Sequence, residues 1–215
     1  MRSLMLITFM MVFILVGCEQ DRISVSGDKN LNDKWQIVKS ELHRLNPNWE
    51  GQYELETRIT RDAMELKLDI SNKEVSREDG VTTTQRHTAN LSDISPLSKL
   101  KSLKKLVLAG TQVADITPLK NLKLAYLDIS GTNVKDITPL RDMPLRKLYL
   151  SRTPVNDISV LSSLSELNRL LLDRTEVNSL MALKGKHLIF LDISGTPASN
   201  RPLPSDLEVK HLINK

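Results

Sequence analysis

From Leu91 to Pro197 the chain says one thing several times, and this limits what it can become. Leu103-Lys-Lys-Leu106-Val-Leu108-Ala-Gly-Thr111-Gln-Val113-Ala-Asp115-Ile116-Thr-Pro118-Leu119 recurs as Leu124 to Leu140 and again as Leu145 to Leu161. An aspartate recurs at 93, 115, 136 and 157, and a threonine at 111, 132, 153, 175 and 196. A fixed step of 21 or 22 residues in both columns marks stacked supersecondary units. No single unit can bury its own apolar face, so each must lie against its neighbours.

Within a unit, Leu-x-x-Leu-x-Leu puts alternate residues on opposite sides of a short strand. Leu106 and Leu108, Leu127 and Ile129, Leu148 and Leu150, Leu170 and Leu172, and Leu191 and Ile193 point inward. Stacked about 4.8 Å apart, such strands make a parallel sheet. Each threonine follows a strand, where its hydroxyl can bond backbone groups of the turn. Val113, Val134, Val155 and Val177 refill the core. Asp-Ile-(Thr/Ser)-Pro-Leu then crosses the far side, with aspartate suited to cap a short turn and proline to open it.

This pattern resembles the internalin-type leucine-rich repeat, Leu-x-x-Leu-x-Leu-x-x-(Asn/Thr)-x-(Ile/Val)-x-Asp-Ile-x-Pro-Leu, over about half the chain. Here Thr stands where Asn is usual. The convex segment decays to Asp157-Ile-Ser-Val160-Leu161 and then to Asn178-Ser-Leu-Met181-Ala-Leu183. The resemblance implies an α/β leucine-rich-repeat solenoid. Its parallel sheet is concave, its short turns are convex, and a helix-plus-hairpin cap closes the N-terminal end. Aromatics at 4% suit a core of aliphatic layers. Leu188 to Ile193 runs into Pro197, Pro202 and Pro204, so the array is expected to end at 199. Residues 200–215 then form a C-terminal cap, with Leu207, Val209 and Leu212 as a lid.

The N-terminus reads as an address. Arg2 precedes an apolar run, Leu4 to Val16, shorter than the roughly 20 residues a membrane-spanning helix needs. It has the length of a signal-peptide core. Leu15-Val16-Gly17-Cys18 follows, and Cys18 is the chain's single cysteine. These residues resemble the bacterial lipobox, in which the cysteine is lipidated and becomes the mature N-terminus. The other reading is an ordinary signal peptide or anchor with an incidental cysteine. The resemblance implies residues 1–17 as signal peptide, Cys18 as lipidation site and the membrane as partner through that anchor. Glu19 stands where Asp is the usual inner-membrane retention signal, which favours the outer membrane in a double-membraned organism. The polar segment 18–32 reads as a flexible tether.

Residues 33–63 read as the entry cap. Asn32 or Asp33 can cap a helix from Lys34, with Trp35, Val38, Leu42 and Leu45 on one face. Asn46-Pro47 stops it. Tyr53 to Ile59 and Met64 to Ile70 alternate in apolarity and read as a hairpin. Its second strand is also the first of the array, 64–199. Leu45-Asn-Pro-Asn-Trp49-Glu-Gly51 resembles a short module preceding leucine-rich repeats in some environmental bacteria, some of them kinase-linked, though no kinase signature is present. From Ile70 to Leu108 is 38 residues, one repeat plus about 16. The excess falls in 72–89, read as an inserted polar loop, or with Val81 to Thr84 as a degenerate repeat strand.

Function is expected on the strand face, where residues vary while the core stays uniform. The outward columns are Lys105, Tyr126, Lys147, Arg169 and Phe190; Val107, Asp128, Tyr149, Leu171 and Asp192; and Ala109, Ser130, Ser151, Asp173 and Ser194. Arg152 and Arg174 stand just beyond, where other repeats have Gly110, Gly131 and Gly195. Tyr and Arg are enriched at binding hot spots. The candidate partner-binding residues are therefore Lys105, Tyr126, Lys147, Tyr149, Arg152, Arg169, Leu171, Arg174 and Phe190. The alternative is an ordinary solvated face with scattered apolar residues.

The rest of the sequence narrows the class. His43, His87, His187 and His211 are scattered and lack ligand spacing, so neither metal nor cofactor is expected. No phosphate loop or nucleophile elbow appears, so an enzyme is not expected. A net charge of +4, interspersed and without a reading element, argues against nucleic acid. The expected protein is a monomeric, lipid-anchored module of the bacterial cell envelope. It would bind a protein through its concave face; a glycan ligand or a structural place in a larger complex are the alternatives.

Overall fold

The structure, a computed structural model, describes residues 29–49, 54–59, 64–69, 74–78, 81–85 and 90–215, with side chains from 33–49 and 90–215. Helix α1 spans Lys29–Leu45. It starts before the expected Lys34, because no glycine or proline interrupts Lys29 to Asp33. Asn32 and Asp33 therefore lie inside the helix, and the last four residues of the expected tether are helical. Trp35, Val38 and Leu42 are buried on one face, which packs on the 3₁₀ turn Ser95–Lys99 of the first repeat.

Strands β1 (Glu54–Ile59) and β2 (Met64–Asp69) pair antiparallel as the expected hairpin. β3 (Glu74–Glu78) and β4 (Val81–Gln85) follow. The array proper is β5 (Leu103–Val107), β6 (Tyr126–Asp128), β7 (Lys147–Tyr149), β8 (Arg169–Leu171), β9 (His187–Asp192) and β10 (Glu208–Ile213). Among the described residues the main sheet has the order β1-β2-β5-β6-β7-β8-β9-β10. Every pairing from β2 onward is parallel. The fold is thus the leucine-rich-repeat solenoid, with β2 serving both hairpin and array.

Leu106, Leu127, Leu148, Leu170 and Leu191 stack in register and are fully buried. The threonine column is buried as well. Each hydroxyl donates to the carbonyl three residues back: Thr111 to Leu108 at 2.7 Å, Thr132 to Ile129 and Thr153 to Leu150 at 2.6 Å, Thr175 to Leu172 at 2.7 Å and Thr196 to Ile193 at 2.6 Å. One side chain thus closes the turn and leaves its own polar atom satisfied.

On the convex side each aspartate carboxylate accepts the N–H two residues on. Asp93 takes Ser95, Asp115 takes Thr117, Asp136 takes Thr138 and Asp157 takes Ser159, at 2.7–2.8 Å. This Asx turn starts a 3₁₀ segment, such as Thr117–Leu119 or Thr138–Leu140. Proline stands within its first turn, where a backbone N–H has no partner to lose. The hydrogen bonds pull the Asp115 and Asp157 carboxyls below their ordinary range.

Two expectations are corrected. Within 72–89 the backbone is not a structureless loop: β3 and β4 pair antiparallel as a hairpin of their own, so Val81 to Thr84 belongs to a strand outside the repeat sheet. Their residues exchange ladder bonds locally, which satisfies an insertion without lengthening the array. At the other end, the array does not stop at 199. β10 continues it parallel to β9, so Leu212 sits in the core column beside Leu191 rather than on a lid. With no described strand beyond, Leu212 stays 37% exposed, while Leu203, Leu207 and Val209 pack partly against the core. The signal was present: Leu191 to Leu212 is again a step of 21.

Candidate functional site

The strand register assembles the outward residues into rows. Lys105, Tyr126, Lys147, Arg169 and Phe190 are directly opposite one another across β5 to β9, and Tyr149 is opposite Leu171. All seven are half-buried, and Arg152 and Arg174 are exposed at the strand ends. Parallel strands about 4.8 Å apart hold such a row as one continuous surface. Val107, expected outward in the second column, is instead buried. It carries no polar atom to keep in water, so the open part of the face begins beyond it.

Two contacts tie the N-terminal part of the face together. The Lys105 ammonium lies 4.6 Å from the centre of the Tyr126 ring. Tyr126 meets Tyr149 edge-on, with ring centres 5.2 Å apart. Both geometries are favourable, through the negative ring face and the positive ring edge respectively. They hold two tyrosines with ordered positions on the surface. Neither Lys105 nor Tyr126 stands alone, since each has interactions beyond these.

The turn after each strand departs from uniformity at one place. Gly110, Gly131 and Gly195 have positive φ, of 74°, 66° and 68°, and the equivalent Arg152 and Arg174 have 57° and 56°. A left-handed residue with a Cβ presses on the following carbonyl and costs about 1–2 kcal/mol. Inter-repeat bonds hold both arginines there: the Arg152 N–H donates to the Asp173 carbonyl and the Arg174 N–H to the Ser194 carbonyl, each at 2.8 Å. A Cβ at Gly195 would lie 3.3 Å from the Arg174 Cγ, so the small residue leaves the arginine stem its place. Asp142 also has positive φ, but Asp visits that region readily.

The acids of this face each accept a serine donor, two from their own turn and one from the preceding repeat. Asp128 accepts the Ser130 N–H at 3.0 Å, Asp192 accepts the N–H and hydroxyl of Ser194 at 2.9 and 2.7 Å, and Asp173 accepts the Ser151 hydroxyl. Among the described residues the ion pairs are Lys99–Glu41, Arg146–Glu166, Lys184–Asp206 and His187–Glu208. None involves Lys147, Arg152, Arg169 or Arg174.

β10 adds two residues that were expected in a cap. His211 continues the first row beside Phe190, and Ile213 continues the second beside Asp192. A further site lies outside the face. Asn46, seen in the sequence only as a helix stop, is buried and joins the cap to the first repeat. Its amide donates to the Leu42 and Asp93 carbonyls at 2.9 and 2.8 Å, and its oxygen accepts the N–H groups of Ser92 and Asp93 at 2.8 and 2.9 Å. The only sequence signal was a polar residue at the end of an apolar helix face. Beside it, Trp49 is buried and stacks on His43 with ring centres 4.7 Å apart.

Among the described residues no three His, Cys, Asp or Glu side chains gather as a metal site, and no helix is long and apolar enough to cross a membrane. Cys18 and residues 1–17 lie outside the described residues.

The geometry defines a leucine-rich-repeat solenoid with a mixed aromatic and basic strand face. Its neighbours among solved structures include internalin-type leucine-rich-repeat proteins. An internalin (inlF) of Listeria monocytogenes is 28% identical, with a TM-score of 0.52, over 66% of this chain and 39% of that one. Internalin C2 of the same organism is 29% identical over 51% and 46%, with a TM-score of 0.42. The leucine-rich-repeat ectodomain of the receptor kinase SOBIR1 from Arabidopsis thaliana is 20% identical over 86% and 97%, with a TM-score of 0.46. The chain therefore spans less than half the length of each of these two internalins. No protein-family model and no curated protein sequence matches the chain.

Proposed function

We propose that this chain is a non-enzymatic binding module, lipidated at Cys18 and held at the bacterial cell envelope, that engages a protein partner through its concave face. The observation that carries the proposal is the contrast between columns. The inward residues are all aliphatic and the turn threonines all bond alike, while the outward rows change from repeat to repeat. A scaffold needs the first pattern and has no use for the second. Stacked repeats build extended concave surfaces of this kind. Lys105, Tyr126, Lys147, Tyr149, Arg152, Arg169, Leu171, Arg174 and Phe190 are the residues assigned to it.

A photo-cross-linking residue at position 149 tests this in cells, with position 135 on the opposite side as control. A discrete protein adduct from 149 and none from 135 supports the proposal. Equal labelling from both positions refutes the concave site. The anchor is tested separately. Cys18→Ser should leave an unprocessed precursor, and unchanged mass and detergent partitioning would refute lipidation.

A second reading is a structural envelope lipoprotein packed in a larger complex. It is favoured by Leu212 and Ile213, exposed apolar residues on the last strand of the sheet. A stoichiometric adduct from β10 with no adduct from position 149 would select it.

A further inference from the structure

Two adjacent repeats carry a charge arrangement that the others lack. On β7 and β8 the first strand residues are Lys147 and Arg169, the last are Tyr149 and Leu171, and the exit turns hold Arg152 and Arg174. A basic pair thus stands at each end of an apolar pair. The ends are five residues apart, at most roughly 16 Å for a fully extended chain and less here, because the strands end at Tyr149 and Leu171 and the chain turns before each arginine. Among the described residues none of the four cations is in an ion pair, and Asp128, Asp173 and Asp192 each accept a serine hydrogen bond through one carboxylate oxygen. The exit arginines hold a backbone conformation that the sister repeats give to glycine. Such strain at a non-glycine residue is a mark of a functional position.

We infer that this two-repeat patch takes an extended, acidic segment of a partner protein, with two carboxylates flanking a large apolar side chain. The inference rests on the concave-face reading above and names its ligand chemistry. Arginine is suited to the task because its planar fork can grip a carboxylate through two parallel N–H···O bonds. Lys147 and Arg169 serve the first carboxylate, Tyr149 and Leu171 the apolar side chain, and Arg152 and Arg174 the second carboxylate. The extended-chain limit between the two basic pairs sets the two acids no more than about five residues apart in an extended ligand. Attraction of this kind weakens as salt rises.

The test uses short synthetic peptides with two glutamates flanking a leucine at that spacing, a neutral version with glutamines, and a version with the glutamates adjacent. They are titrated against the full-length wild type and the Arg152→Gly/Arg174→Gly double variant. The expected result is binding of the spaced acidic peptide, at least tenfold weaker for either control peptide. The double variant should also bind at least tenfold more weakly, while its melting temperature is unchanged or higher because glycine relieves the strain. Equal affinity of wild type and double variant overturns the inference. So does tighter binding of a sulfated heparin fragment than of the spaced peptide, which would make the ligand a glycan. If the position-149 adduct forms in cells but is unaffected by the double substitution, the concave site stands and the acidic-segment assignment falls. If no adduct forms at 149 and no peptide binds, both fall.

Discussion

The Asn46 side chain holds the Asp93 backbone through both its groups: the Asn46 amide donates to the Asp93 carbonyl at 2.8 Å, and its oxygen accepts the Asp93 N–H at 2.9 Å. Helix α1 is thereby locked to the first repeat across 47 positions of sequence. The side chain mimics a passing strand, offering the Asp93 backbone both a donor and an acceptor.

Replacing Asn46 by alanine should therefore cost far more than an ordinary polar substitution. It removes the partner of the Ser92 and Asp93 N–H groups and of the Asp93 carbonyl, in part-buried bonds made by a side chain that is itself buried. Buried unsatisfied groups cost about 1–3 kcal/mol each, so a loss of about 3 kcal/mol in urea unfolding is expected. Hydrogen exchange should show α1 opening separately from the repeats. A loss below about 0.5 kcal/mol, typical of a neutral surface change, would contradict the staple.

Thr153→Val keeps the shape of the side chain and removes its bond to the Leu150 carbonyl. Such a bond is worth about 1 kcal/mol net. Denaturant midpoints should fall accordingly with an unchanged slope. The same substitution at Thr132 should behave alike, since the geometry repeats.

Leu148 is fully buried in the middle of the core column. Leu148→Asp places an unpaired charge between two leucine layers, which belongs among the few severely destabilising kinds of change. Circular dichroism should show no cooperative melting transition. A transition near the wild-type temperature would refute the stacking.

Acid should loosen the convex turns. Asp115 and Asp157 titrate below the ordinary carboxylate value because each accepts hydrogen bonds in the folded state, from Thr117 and Ser159 respectively. A folded pKa below the unfolded one stabilises the fold above the unfolded value, and the gain is lost as pH falls through the folded value. The stability gap between wild type and Asp157→Ala should therefore be present at neutral pH and narrow on acidification. A gap constant down to the acid limit would mean that the carboxylate charge contributes nothing there.

The core was legible because its signal is redundant: five inward pairs of leucine or isoleucine, five threonines and four aspartates each announce the same unit. The early start of α1 was not, because Lys29 to Asp33 carries neither an apolar face nor a breaker. β10 was hidden by Pro197, Pro202 and Pro204, which interrupt the connection yet leave the next strand free to pair. Asn46 was illegible for a different reason: its partners are remote in sequence, and one polar residue has no period. On the face, the rows followed directly from the strand register. The positive φ of Arg152 and Arg174 was foreshadowed by the glycines at the same place in the sister repeats. The tyrosine contact was out of reach, because it runs diagonally between rows.

The central claim, that the strand face binds a partner, is tested most directly by Tyr149→Ala/Arg169→Ala. Both side chains are half-buried on the face and outside the core. The melt should shift by no more than about 1 kcal/mol, the scale of the lost aromatic contact. Affinity for the partner cross-linked through position 149 should fall at least a hundredfold, as for two hot-spot residues. Binding at wild-type affinity with an unchanged melt would contradict the account and place the site elsewhere.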